Sequence, residues 1–176
     1  AEQGRHAAEQ GGVAAEQGRH AATAAGGGLR RSPRAARTGG RRRVLGAADA
    51  REEADALSTP DRPRWVLGSI GPTTKTLSVT GGISFDELVD NFRIQALGLL
   101  RGGVDILLLE TVQDGLNLKA AQIGIEKAGN ELGYHRPVAI SCTIEPMGTM
   151  LAGQTIEAFY ASIEHFEPIF IGMNCA

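Results

Sequence analysis

The chain has 176 residues, 42% of them hydrophobic, with a formal net charge of −2 at pH 7, which suits one ordinary domain. No run approaches the roughly 18 consecutive apolar residues of a membrane-spanning helix, and no secretory signal pattern is present. Two cysteines, Cys142 and Cys175, are too few for a disulfide scaffold, and free thiols suit a reducing cytoplasm.

The near-neutral total hides two unlike parts. Up to residue 64 there are twelve Arg, no Lys and eight acids, a net of +4; from residue 65 there are six basic and twelve acidic residues, a net of −6. A basic leader is joined to an acidic body. The leader opens with a seven-residue repeat, AEQGRHA, AEQGGVA, AEQGRHA. A coiled coil is excluded because each repeat carries Gly and none has a large apolar residue at a seam position. Gly26-Gly27-Gly28 and a stretch over 29–43 with seven Arg and no acid follow. Residues 1–60 are therefore expected to be a disordered low-complexity tail. An Arg cluster of this kind can attract nucleic acid, but the composition fits a solvated tail better, so no nucleic-acid partner is expected.

The body begins with a short apolar strand over 64–70, ended by the turn pair Gly71-Pro72. A polar loop over 73–82 leads to Ser84, which caps a helix and forms a capping box with Glu87. Phe85, Leu88, Val89, Phe92, Ala96, Leu99 and Leu100 fall on one face at helical spacing, and Gly102-Gly103 stop the helix. Residues 104–109 form a second strand, apolar enough to be covered on both faces. Glu110-Thr111 follow at its C-terminal end. Asp114 caps a second helix that turns Leu116, Ala120, Ile123 and Leu132 inward and stops at Gly133. A third strand over 138–143, a loop over 144–154, a third helix capped by Thr155 and a fourth strand over 168–173 complete the series. Strand–helix alternation of this kind predicts a parallel α/β sheet, either open and doubly wound or closed into a (β/α)₈ barrel. Ser69, Glu110, Thr143 and Cys175 cluster at C-terminal strand ends, where either architecture builds its site.

The motifs Gly68-Ser69-Ile70-Gly71-Pro72-Thr73 with Lys75-Thr76, Gly102-Gly103-Val104-Asp105, Leu109-Glu110-Thr111, Leu116-Asn117-Leu118-Lys119-Ala120, Ser141-Cys142-Thr143-Ile144, Leu151-Ala152-Gly153-Gln154-Thr155 and Gly172-Met173-Asn174-Cys175-Ala176 stand in one order across 64–176. Together they resemble the homocysteine-binding barrel of cobalamin-dependent methionine synthases. The resemblance implies a TIM barrel, represented here by about four strands and three helices over 64–176. It also implies methyl transfer to homocysteine held as a zinc thiolate, with the methyl group supplied by methylcobalamin on a separate cobalamin-binding domain. Three cysteines hold that zinc, and Cys175 matches the first of them. The adjacent pair that supplies the other two is not in this chain, so the resemblance implies a partial barrel that is inactive by itself.

Glu110, Asn174 and Thr143 are the expected substrate-binding residues. An ionised carboxylate after four apolar residues needs a partner, and the resemblance offers the substrate's amino group. Asn174 can contact substrate or cap the strand end. Cys142 is expected in the core, pointing away from Thr143. His135 and His165 have no partner at metal-ligand spacing. Two alternatives remain at this level: a betaine-type homocysteine methyltransferase, and a non-catalytic Arg-rich binding protein. The Gly-Pro-Thr-Thr-Lys-Thr stretch over 71–76 favours the cobalamin branch over the first.

Overall fold

The computed structural model describes residues 46–175; the heptad repeat and the Arg-rich stretch lie outside them. The described residues run α1 (Ala47–Leu57), β1 (Leu67–Ile70), α2 (Phe85–Arg101), β2 (Ile106–Val112), α3 (Gly115–Leu132), β3 (Val138–Cys142), α4 (Ile156–Ile163), a 3₁₀ turn (Glu164–Phe166) and β4 (Ile171–Met173). The four strands are parallel and lie in the order β1-β2-β3-β4. A doubly wound sheet reverses its order at a switch point, whereas a barrel adds each strand beside the last. The unbroken order is that of a barrel arc.

Each expected cap is present because the local chemistry supplies it. The Ser84 hydroxyl accepts from the Glu87 amide, and the Glu87 carboxylate accepts from the Ser84 amide at 2.9 Å. Those bonds from the Ser84 amide and hydroxyl hold the Glu87 carboxyl below its ordinary pKa. Asp114 accepts from the Leu116 amide, and Thr155 from the Ala158 amide. Gly103 and Gly133 end α2 and α3 with positive φ, as a C-terminal glycine permits.

Burial alternates along β1 and the first half of β2. Gly68, Ile70, Leu107 and Leu109 face the helices and join the core with Leu88, Phe92, Leu118 and Ile125. Ser69, Leu108 and Glu110 take the opposite face and are half-buried. Gly68 permits the close approach of β1 to α2, since a Cβ there would lie 2.9 Å from Val104 Cγ1 and 3.2 Å from Leu99 Cδ1.

Two expectations are corrected. The tail was expected to be disordered through residue 60, but 47–57 is helical. That segment, Ala-rich and free of Gly, has strong intrinsic helix propensity. Ala47 and Ala54 are buried, and the Arg51 guanidinium pairs with Asp105 at 2.5 Å. The Asp105 carboxylate also accepts from the Val66 amide at 2.8 Å, which ties α1 to the start of β1. Gly102 allows this docking, as a Cβ there would collide with Ala47. The folded body thus begins well before residue 64. The second correction concerns α3: Leu116 and Ile123 are exposed. The buried face is Asn117, Leu118, Ala120, Ala121, Gly124, Ile125 and Ala128. Small residues, not the largest ones, mark the side that packs on α2.

Candidate functional site

The end of β2 is where the sheet departs from regularity. Leu109 pairs with Ile140 and Val112 with Cys142, so β2 advances three residues while β3 advances two. This is a β-bulge, a feature that re-aims side chains beside functional sites. Regular alternation would send Glu110 to the open face and Thr111 back toward the helices. The bulge instead places both at the rim and returns Val112 to the core, where it is 8% exposed. Thr111 carries the bulge at φ 61°, a region that β-branched residues rarely occupy.

Four strand ends meet at this rim. From β1, the Ser69 hydroxyl donates to Glu110 Oε2 at 2.6 Å. From β3, the Ser141 hydroxyl accepts from the Thr111 amide at 3.4 Å. After β4, the Asn174 amide donates to the Cys142 carbonyl at 3.0 Å, extending the ladder by one rung. Asn174 Nδ2 then donates to Thr111 Oγ1 at 2.8 Å and approaches Cys175 Sγ at 3.3 Å. The Thr111 hydroxyl in turn reaches Cys175 Sγ at 3.7 Å. Cys175 is exposed at φ 53°, while Cys142 is fully buried. Burial pushes the Cys142 thiol above its ordinary pKa.

Thr143 is 3% exposed, and its hydroxyl is buried with no hydrogen-bond partner among the described residues. The same holds for Asn174 Oδ1. Buried polar atoms are nearly always paired; Asn174 Oδ1, on the residue next to the Cys175 thiol, is left free for a ligand's donor. The rim is backed by the loop that follows β1. Asp114 accepts from the Ser78 amide and hydroxyl, and Asn117 accepts from the Leu77 amide while donating to the Lys75 carbonyl at 3.0 Å. A small cleft between this loop and α3 is lined by Pro72, Thr76, Glu110, Gln113, Asp114 and Asn117.

Every expected site residue therefore stands at the C-terminal end of the sheet: Glu110 on β2, Thr143 after β3, and Asn174 with Cys175 after β4. Contacts link Asn174 and Cys175 through Thr111, while Glu110 bonds to Ser69. Sequence reasoning gave Thr111 no role and left Asp114 as a cap only. Asn117 was likewise given no role, because the inward face of its helix was assigned to Leu116, Ala120, Ile123 and Leu132. No signal announced the bulge. Among the described residues, no group of three His, Cys, Asp or Glu side chains could hold a metal ion. Cys175 offers one thiolate, and a zinc site takes three or four protein ligands.

A profile of the homocysteine S-methyltransferase family matches residues 34–176. The chain belongs to the homocysteine S-methyltransferase family. It is 46% identical over 131 residues to the methionine synthases of Mycobacterium leprae and Mycobacterium tuberculosis, covering 74% of this chain and 11% of each relative. The apo form of the homocysteine methyltransferase MmuM from Escherichia coli shares the fold, with a TM-score of 0.55 at 20% identity, over 72% of this chain and 44% of that one. Its oxidised form superposes with a TM-score of 0.51. These neighbours are TIM barrels, and the unbroken strand order of this homocysteine S-methyltransferase family member agrees with an arc of one. No helix among the described residues is long and apolar enough to cross a membrane.

Proposed function

We propose that this chain is part of a cytoplasmic methionine synthase barrel that holds homocysteine for methylation, with methylcobalamin on a separate domain as donor. The observation that supports the reading is that Glu110, Thr143, Asn174 and Cys175 all stand at C-terminal strand ends, Asn174 and Cys175 being linked through Thr111, in a chain 46% identical over 131 residues to methionine synthases. In this reading the Glu110 carboxylate, held by Ser69, receives the substrate's ammonium group. The unpartnered Thr143 hydroxyl can donate to its carboxylate, and Asn174 Oδ1 can accept a further N–H of the ammonium group. Cys175 is one ligand of a zinc ion whose other ligands come from outside the described residues. With its remaining ligands supplied from outside the described residues, such a metal would supply Lewis-acid stabilisation of the substrate thiolate. The hydrophobic residues behind the rim, Ile70, Leu109 and Val112, exclude water from the back of the site and strengthen the carboxylate–ammonium attraction.

Isothermal titration with L-homocysteine tests the role of Glu110. Glu110→Gln is expected to weaken binding about tenfold, the worth of one charge-assisted hydrogen bond. The analogue 4-mercaptobutanoate, which lacks the ammonium group, is expected to bind both forms alike. Equal affinity of the two forms for L-homocysteine would remove Glu110 from the site.

A further inference from the structure

We infer that Thr111 is a positioning residue: its strained, bulged conformation exists to lay a hydroxyl between Asn174 and Cys175. The inference rests on reading this rim as the homocysteine site, but the placement of the hydroxyl is a separate matter that can be tested without substrate. A threonine at φ 61° is unfavourable, because a β-branched side chain crowds the backbone in the left-handed region. Gly or Asn would occupy the position more readily. Strain of this kind persists where the surroundings over-determine it, and it clusters at functional sites.

Three contacts over-determine it here. The bulge between Leu109 and Val112 turns the residue to the rim. The Thr111 amide donates to Ser141 Oγ, anchoring the backbone to β3. The Thr111 hydroxyl accepts from Asn174 Nδ2 at 2.8 Å and reaches Cys175 Sγ at 3.7 Å. By taking up Nδ2, that hydroxyl fixes the rotamer of the Asn174 amide. It thereby sets which side of Asn174 presents the unpartnered Oδ1. One hydroxyl on β2 therefore orients both functional groups after β4, across the intervening β3. A glycine would relieve the backbone and supply no such group, and a valine would keep the shape and the strain without the bond.

Hydrogen exchange of the Asn174 side-chain amide, followed by NMR on the whole chain, reads the bond directly. The Asn117 side-chain amide, bonded to the Lys75 carbonyl, is the internal reference. Thr111→Val is expected to speed exchange at Asn174 about fivefold, the loss of one ordinary hydrogen bond, and to leave Asn117 unchanged. Thr111→Ser is expected to restore the rate to within about twofold. Thr111→Gly is expected to speed Asn174 as valine does. Should the valine variant not fold, the glycine variant carries the test. Unchanged exchange at Asn174 without the hydroxyl, or failure of serine to restore it, would overturn the inference. None of these results depends on whether homocysteine binds.

Discussion

Replacement of Asp114 by alanine is expected to lower stability by about 3 kcal/mol and to free the loop after β1. Asp114 is 1% exposed, and its carboxylate accepts from three donors: the Leu116 amide at 2.8 Å, the Ser78 amide at 2.8 Å and the Ser78 hydroxyl at 3.0 Å. Loss of a helix N-cap alone costs about 1 kcal/mol. Each buried donor left without a partner adds about 1–3 kcal/mol, less what water recovers once the loop moves. The urea midpoint is expected to fall by roughly 2 M. Asp114→Asn keeps an acceptor oxygen for the cap and is expected to lose less than half as much. An Asp114→Ala midpoint within about 0.3 M of the wild type, a shift too small for a lost buried anchor, would mean that the loop is held by other contacts. Asn117 is the first candidate, through its bonds to Leu77 and Lys75.

Gly124→Val is expected to cost more than about 3 kcal/mol, or to prevent folding. A Cβ at this position would lie 2.7 Å from the Val89 carbonyl oxygen, 2.8 Å from the Arg93 amide nitrogen and 2.9 Å from Phe92 Cβ. Two of those atoms belong to the α2 backbone and cannot turn aside as the end of a flexible side chain can. The helices would have to separate, which opens space around Phe92 and Ile125, 4% and 7% exposed in the core between them. Gly98 supplies the contrast, since a Cβ there meets nothing within 4 Å. Gly98→Ala is expected to stabilise by about 0.5–1 kcal/mol through helix propensity alone. Circular dichroism melts of the two variants should therefore move in opposite directions. A Gly124→Val protein that melts like the wild type would contradict the packing of α3 on α2.

The caps on α2, α3 and α4 were legible because each depends on chemistry local to a few residues: Ser84 with Glu87, Asp114, and Thr155. The parallel sheet was legible from the apolar runs, and its C-terminal end as the place of the site followed from the architecture. Helix α1 was hidden, because its buried residues are alanines and its anchor is an ion pair from Arg51 to Asp105, 54 positions away. The inward face of α3 was misread for a related reason: a helix that packs closely buries Gly and Ala, while Leu116 and Ile123 stay outside. The bulge at Thr111 was illegible for a different cause. The sequence reading ended this strand at Leu109, whereas it runs on to Val112, and the extra residue is defined only against the register of β3. The link from Asn174 and Cys175 to Thr111 crosses more than 60 positions and could not be read before the strands were placed.

The central claim is that one rim, built from the ends of β1 to β4, is the homocysteine site. Its most direct test is an NMR titration of the chain with L-homocysteine, read at every backbone amide. The account predicts saturable shifts concentrated at Ser69, Glu110, Thr111, Thr143, Asn174 and Cys175, with the outward faces of α2 and α3 silent. Shifts centred elsewhere, or no saturable change at the rim at millimolar ligand, would contradict it.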